Sequence, residues 1–271
     1  MRNGYIENRM NRPRKTAAPP RHGVARTLSK LGLGSRTQAA RWVRDGRVRV
    51  NGRIVRDPEF PVCHGIDRVS LDDETPVRAE RQVIMLNKPR GLVTTARDER
   101  GRDTVYQCLA GANLPWLAPV GRLDKASEGL LLFSNDPAWA ASITDPLTGP
   151  LKTYHVQINR IPDASLLTLL TRGIDCDGEL LSAKTALTLR TGERNAWLEI
   201  VLAEGRNRQI RRLLSALDIA VLRLMRVAVG PLQLGDLPKG RWREVSLQEV
   251  SDLAPLSSRT QARQPLRSGL I

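Results

Sequence analysis

Four stretches in the second half of the chain, 154–158, 185–189, 197–202 and 221–229, alternate in side-chain character with a period of two. A period of two belongs to a strand with one face on a core and the other toward solvent. Two more apolar runs, 82–86 and 129–133, read as strands. Between them, 163–172 reads as a covering helix, capped by Asp163 and ended near Gly173. No βαβ period repeats, which argues against a doubly wound parallel fold. The expectation is an α+β domain over residues 81–250, built on a mixed, largely antiparallel sheet packed by helices.

The first quarter has a different grammar. In 24–33, Leu28 and Leu31 share one helical side, with Arg26 and Lys30 elsewhere. Ser35 can cap a second helix through Val43, whose narrow apolar surface is Ala39, Ala40 and Val43, and Gly46 fits its stop. The run 47–55 alternates about a central Asn51-Gly52 and predicts a hairpin, with Val48, Val50 and Ile54 facing the helices and Arg47, Arg49 and Arg53 outside. This unit, 23–75, is small and basic. Residues 1–22 read as a flexible basic arm, 72–81 as an acidic linker and 253–271 as a flexible tail.

Charge sharpens the functional reading. The formal charge is +15; residues 1–60 hold 15 Lys/Arg against 4 Asp/Glu, and 201–271 hold 12 against 6, around a nearly neutral centre. Two basic regions predict a polyanionic partner and salt-sensitive association. The three cysteines, Cys63, Cys108 and Cys176, stand far apart, without a disulfide framework or a CxxC pair, and point to a reducing compartment. Three histidines, His22, His64 and His155, give no metal-ligand pattern. There is no membrane-length apolar run and no secretory signal in the first twenty residues, so the expected location is the cytoplasm.

Two segments carry candidate chemistry. Gly121-Arg122-Leu123-Asp124-Lys125-Ala126-Ser127-Glu128-Gly129 precedes an apolar strand, so Asp124 can be held rigidly with its carboxylate in a cleft and Arg122 on the same side. The residues alone fit a surface ion pair equally well. In Glu204-Gly205-Arg206-Asn207-Arg208-Gln209-Ile210-Arg211-Arg212-Leu213, Asn207 can begin a helix to about Leu217. Its buried stripe is Ile210, Leu213, Leu214 and Leu217, with Arg208, Arg211 and Arg212 clustered elsewhere. That cluster is either an anion site or a solvated face.

Taken together, these segments resemble a known family. Residues 24–70, with Leu33-Gly34-Ser35-Arg36 and Gly46-Arg47-Val48-Arg49-Val50-Asn51-Gly52, look like an S4 RNA-binding domain. Residues 82–250 resemble the catalytic domain of bacterial pseudouridine synthases of the small-subunit rRNA type, a family shared with several large-subunit enzymes. The motifs are Asn87-Lys88-Pro89-Arg90-Gly91, Gly121-Arg122-Leu123-Asp124 and 204–212. The resemblance implies that Asp124 is the catalytic carboxylate, that Arg122 enters the RNA to hold the target nucleotide out of its stack, and that Tyr154, in Lys152-Thr153-Tyr154, packs on the uracil. It implies that Arg211 is a buried partner of Asp124 and adds Arg208 and Gln209 to the substrate-binding set. Arg36, Arg41, Arg44 and Arg47 are the corresponding RNA-positioning candidates of the S4-like unit. Two positions depart from the family: Pro137 follows Asn135-Asp136 where glycine is common, and Asp218 occupies a turn position that is often glycine.

The implied reaction is isomerisation of a uridine to pseudouridine in ribosomal RNA or an assembly intermediate, without metal, cofactor or obligate protein partner. The runs 230–234 and 240–243 resemble large-subunit members more, favouring 23S over 16S rRNA. A methyltransferase would need a strand–glycine-loop–helix site that is not evident. A nonenzymatic RNA-binding protein would leave the aspartate motif unexplained. Arg223 and Arg226 can be RNA-facing charges near the pocket or simply pack their stems over a helix.

Overall fold

The computed structural model describes residues 21–63, 65–76 and 80–253. Most of the expected arm and tail lies outside them, as does His64. The chain divides into two compact units, one holding residues to Leu28 and Arg36–Pro76, the other Ser29–Ser35 and the rest.

The first unit contains β1 (Arg21–Gly23), most of α1 (Val24–Lys30), α2 (Arg36–Arg44), β2 (Val48–Val50), β3 (Arg53–Ile54), β4 (Pro61–Cys63) and β5 (Val69–Leu71). Arg21 and His22 are therefore strand residues rather than the end of an arm; they pair with Cys63 and Val62. Asn51 and Gly52 both take positive φ, 51° and 81°, the geometry that makes a two-residue hairpin turn follow the strand twist. That turn sets Ile54 opposite Arg49, so Ile54 shares the outward face and is half exposed, contrary to expectation, and Val55 is buried instead. Nor are residues 72–74 a free linker. Asp72 accepts from Arg47 Nε at 2.9 Å, Asp73 accepts from Arg49 Nε at 2.6 Å, and Leu71 and Glu74 exchange backbone hydrogen bonds.

In the second unit the elements are β6 (Val83–Lys88), β7 (Ala118–Val120), β8 (Glu128–Ser134), α3 (Pro137–Thr144), β9 (Lys152–Ile158), α4 (Ala164–Arg172), β10 (Ile174–Cys176), β11 (Glu179–Leu181), β12 (Thr185–Thr191), β13 (Ala196–Leu202), α5 (Gln209–Ser215), β14 (Val221–Val229), β15 (Leu232–Gln233), β16 (Trp242–Glu244) and α6 (Leu247–Leu253). The main sheet runs β12-β13-β9-β14-β8-β6-β16, with β7 on β8 and β15 on β14. The fold is thus the expected α+β arrangement, a mixed and largely antiparallel sheet. Between strands of the described residues, only β8 and β14 pair in parallel.

Alternation sorts the core. Tyr154, Val156 and Ile158 of β9 join Leu198 and Ile200 of β13 in one apolar layer with Ile210, Leu213 and Leu214 of α5 and Leu166 and Leu170 of α4. On the other face of β6 and β8, Met85, Leu130 and Leu132 pack with Trp139 of α3 and Val250 and Leu253 of α6. Buried on both faces, β8 is a continuous apolar run, whereas β9 and β13 alternate.

Both sequence departures have local explanations. Pro137 opens α3, where its missing N–H and fixed φ suit the first turn, and Asp136 accepts from Ala138 and Trp139 N–H at 3.0 and 3.1 Å. Asp218 has φ 55°, which aspartate tolerates. No described helix is long and apolar enough to cross a membrane.

At the parallel seam, Gly129 pairs with Arg226 at φ +100°, and a Cβ there would lie 2.2 Å from the Arg226 carbonyl oxygen. Gly129→Ala should cost about 3 kcal/mol or more, combining strain with a backbone clash. Gly235, at φ +57° with open space around it, supplies the control: Gly235→Ala should cost only about 1–2 kcal/mol. Urea unfolding followed by circular dichroism measures both, and equal losses would remove the seam's claim to be special.

Candidate active site

A cleft lies over β9 and β14. Tyr154 and Leu224 help form its floor, the loop 121–127 forms one wall, and Gly205, Arg206, Arg208 and Gln209 form the other. Asp124 stands on the first wall with its side chain about one-third exposed. A reacting carboxylate needs access without wobble, and the loop's backbone supplies the rigidity.

The main tie is Lys88. It ends β6 on the same side as Ile84 and Leu86, fully buried. Its Nζ donates to the carbonyl oxygens of Ser127 at 2.7 Å and of Asp124 and Pro89 at 3.1 Å each. Thr94 Oγ1 donates to Leu123 O at 2.7 Å, Gly91 N–H to Lys125 O at 2.8 Å and Ser127 N–H to Asp124 O at 3.0 Å. Leu123 is buried in the core beside Asp124. Lys88 carries no expected role of its own from the sequence, where the available signal was a lysine at the end of an apolar strand.

Arg211 sits half-buried on α5, and its Nη2 donates to Ala126 O at 3.3 Å. Burial and the neighbouring Arg208 and Arg90 push its guanidinium down from the ordinary value, while Asp124 pulls it up. The expected direct pair is not formed. Among the described residues, the cation within 4 Å of the Asp124 carboxylate is Arg208, with Nη1 3.8 Å from Oδ2. Arg208 reaches it from a left-handed backbone, φ 50°, and α5 begins only at Gln209 rather than at Asn207. Gln209 also departs from its expected role: it is buried, its Nε2 donates to Ser182 O at 3.0 Å, and its Oε1 accepts from Arg206 N–H at 3.1 Å. Its amide shapes the wall rather than standing free for substrate.

The arginines of the 204–212 segment therefore divide. Arg206 pairs with Glu179 and Glu204, and Arg212 with Glu179 and the Cys176 carbonyl. Arg208 and Arg211 face the Asp124 loop. Arg122 is exposed and lines both this cleft and a shallower one beside it. Tyr154 is 8% exposed, an aromatic side chain on the floor beneath these walls.

In the first unit Arg36, Arg41 and Arg44 are exposed and no carboxylate lies within 4 Å of them among the described residues, whereas Arg47 is paired with Asp72 beside Trp42. Also unforeseen was Glu128, wholly buried at the start of β8, with Arg223 Nε at 2.9 Å and Lys239 Nζ at 2.7 Å. Arg223 thus braces the sheet, its guanidinium 5.4 Å from the Trp197 ring centre.

Comparison with known proteins follows the same division. The family described as RNA pseudouridylate synthase matches residues 82–216, and the S4 domain matches 24–66. An RNA pseudouridine synthase of Rickettsia bellii is 34% identical over 223 residues, 82% of this chain and 96% of that protein. The ribosomal large subunit pseudouridine synthase B of Bacillus subtilis is 33% identical over 237 residues, 86% and 96% of the two chains. A solved structure described as a pseudouridylate synthase is 29% identical, with a TM-score of 0.59, over 86% of this chain and all of that one.

Burial pushes the Lys88 ammonium down to about 8, against the pull of Asp124. With the folded value below the unfolded one, the unfolded chain binds more protons from about pH 8 to 10.5, so this group's penalty on stability is constant below pH 8 and relieved across that window. Turnover should move oppositely, falling above pH 8 as one of three N–H donors is lost. Lys88→Met should lower turnover at saturating RNA and abolish that alkaline limb, because the three carbonyls lose their donor, at about 1–3 kcal/mol for each left unsatisfied. A pH–rate profile with a matched unfolding series checks this; an unchanged alkaline limb in the variant would clear Lys88 of the role.

Proposed function

Because the chain belongs to the RNA pseudouridine synthase family and carries an S4 domain, we propose that it isomerises a specific uridine of ribosomal RNA to pseudouridine, in 23S rather than 16S rRNA. The carrying observation is one accessible carboxylate, Asp124, on a loop tied down by Lys88, Thr94 and Arg211, above an aromatic floor and beside exposed arginines. Ribosomal RNA, and the large subunit within it, is supported by the names of relatives such as the Bacillus subtilis protein and the ribosomal large subunit pseudouridine synthase E of Vibrio vulnificus, 36% identical over 62% of this chain and 77% of that one. The runs 230–234 and 240–243 agree with that preference.

The target must leave its stack before a protein carboxylate can reach its sugar-base bond. Arg122, exposed at the rim, fills the vacated space, and Tyr154 supports the uracil face. Such stacking is worth about 1–3 kcal/mol and offsets part of the flipping cost. Asp124 then opens the C1′–N1 bond, by attack at C1′ or by taking the C2′ proton. The uracil turns in the cleft and rejoins through C5. Arg208 faces the Asp124 carboxylate, and Arg211 holds the loop that carries it through Ala126 O. Arg36, Arg41 and Arg44 dock phosphates of the surrounding RNA. The setting is the cytoplasm, on free rRNA or an assembly intermediate.

Asp124→Asn keeps the shape of the side chain and loses the reacting group. It should reduce turnover by at least about 10²–10⁴-fold with RNA affinity little changed, read by mapping pseudouridines after incubation with separate 23S and 16S transcripts. Near-normal turnover by the variant rejects the catalytic assignment, and modification confined to the 16S transcript rejects the target. A full-length Arg36→Gln, Arg41→Gln, Arg44→Gln variant should bind RNA more weakly. Its slope of log affinity on log salt should flatten by up to about 2, for three lost phosphate contacts. An unchanged slope places these arginines in solvent.

A further inference from the structure

Two cations in the cleft floor have no part in the reaction as described so far. Lys152, two residues before Tyr154 on the same face of β9, is 8% exposed; Arg226, directly opposite Tyr154 on β14, is 7% exposed. Both line the cleft. Among the described residues no carboxylate lies within 4 Å of either. Their engagement with the protein is slight: Lys152 Nζ stands 3.5 Å from Ala203 O, and Arg226 Nε donates to Leu130 O at 2.7 Å. Among the described residues, the Arg226 guanidinium makes its hydrogen bond through Nε and none through its two terminal nitrogens.

Two like charges taken out of water side by side are costly unless an anion joins them. Burial depresses the Lys152 ammonium and Arg226 depresses it further, against a weaker pull from the more distant Asp145 carboxylate. The anion must reach a floor that is more than nine-tenths covered, flanking an aromatic ring. A backbone phosphate is joined to sugars on both sides and stays at the rim, where Arg122 and Arg208 are exposed. A planar heterocycle inserted past Asp124 can lie on Tyr154 with its edge against both cations.

We propose that Lys152 and Arg226 form an anion site for the detached uracil. The inference rests on the isomerase reading above. When the C1′–N1 bond breaks, its electron pair remains on N1, and the charge spreads to the carbonyl oxygens O2 and O4. Asp124 answers the deficiency at C1′, by bonding to it or by removing the C2′ proton. On rejoining, the C5 electron pair bonds to C1′, the bond to Asp124 is released or the C2′ proton returned, C5 loses its proton and N1 gains one. No atom is lost or gained. Lys152 and Arg226 hold the negative charge between the two events and keep the free base from drifting out.

The test is a leaving-group comparison on the transcript that the wild-type enzyme modifies, prepared with uridine or with 5-fluorouridine. Fluorine at C5 stabilises the uracil anion by itself, so the protein's cations matter less. On the fluorinated transcript C5 has no proton to lose, so the carbon-linked product keeps its fluorine and takes up water across C6 and N1. Nuclease digestion and mass spectrometry quantify the carbon-linked nucleoside, hydrated or not, in single-turnover reactions. Lys152→Met should slow the uridine transcript by about 10²-fold, the scale of one lost charge-stabilising donor, and the fluorinated transcript by clearly less, with RNA affinity held within twofold. Lys152→Arg should recover most of the rate. Arg226→Lys, which keeps the charge, covers the case in which Lys152→Met fails to fold and should show the same substrate dependence at smaller size. Equal slowing on both transcripts, or a loss confined to affinity and salt slope, overturns the proposal. A wild-type enzyme that forms no pseudouridine on any transcript overturns the isomerase reading instead.

Discussion

The parallel seam between β8 and β14 organises this enzyme. Only two residue pairs define it, Met225 with Glu128 and Arg226 with Gly129, and the backbones approach so closely at Gly129 that no side chain fits between them. On one face of the seam Glu128 is clamped by Arg223 and Lys239. On the other, Arg226 turns into the cleft floor. The Asp124 loop enters β8 directly before the seam, so the loop's exit is fixed by the tightest packing in the sheet. A buried carboxylate with two cations is weak evidence for stability, because desolvation offsets most of the attraction. Its value here is geometric: it joins β8, β14 and the turn carrying Lys239 at one point.

Seen from that point, the arginine-rich composition resolves into different kinds of charge. Arg206, Arg212, Arg223 and Arg243 pair with carboxylates of the protein and tie one element of the fold to another. Arg36, Arg41, Arg44 and Arg122 are exposed, without a carboxylate within 4 Å among the described residues. Lys88 forms a third kind, a buried cation whose partners are backbone carbonyls. Net charge alone ranks all of these together. The last two kinds differ in salt response, because screening reaches exposed charges and not Lys88.

Much of the fold was legible in the sequence because its signals are local. Asn51-Gly52 dictates a hairpin, Asp163 and Gly173 bracket α4, and the alternation in β9, β13 and β14 names their buried faces. What escaped depends on partners distant in sequence. Ile54 turned outward because the turn fixed its register against Arg49. The short β10, β11, β15 and β16 have too few residues to show a period. Gln209, expected at the substrate, braces a backbone 27 residues away. At the site, the motif around Asp124 was visible and Arg226 stood open between an RNA-facing charge near the pocket and a packed stem, but Lys88 and Lys152 read as ordinary charges in strands. Their burial is a property of the folded sheet, not of any window of residues.

The cleft also bears on why such a site isomerises rather than hydrolyses. Once the sugar-base bond opens, two outcomes compete: water can meet C1′, or the base can return through another atom. Return requires that the free base remain in place long enough to rotate, and rotation requires that it not be gripped in one orientation. An aromatic floor such as Tyr154 satisfies both demands, since stacking resists departure but is tolerant of rotation about the ring normal. Hydrogen bonds from a fixed backbone would instead favour one edge. Long, charged side chains are the compatible polar partners, because an ammonium and a guanidinium present several donors and follow a turning carbonyl. The core packing beneath Tyr154 closes the floor, while the rim around Asp124 stays open, so keeping the base in place falls to the floor rather than to the walls. A tethered carboxylate, an aromatic surface and two buried cations thus form a single arrangement in which stacking and charge, rather than a fixed set of directional bonds, would hold a planar base.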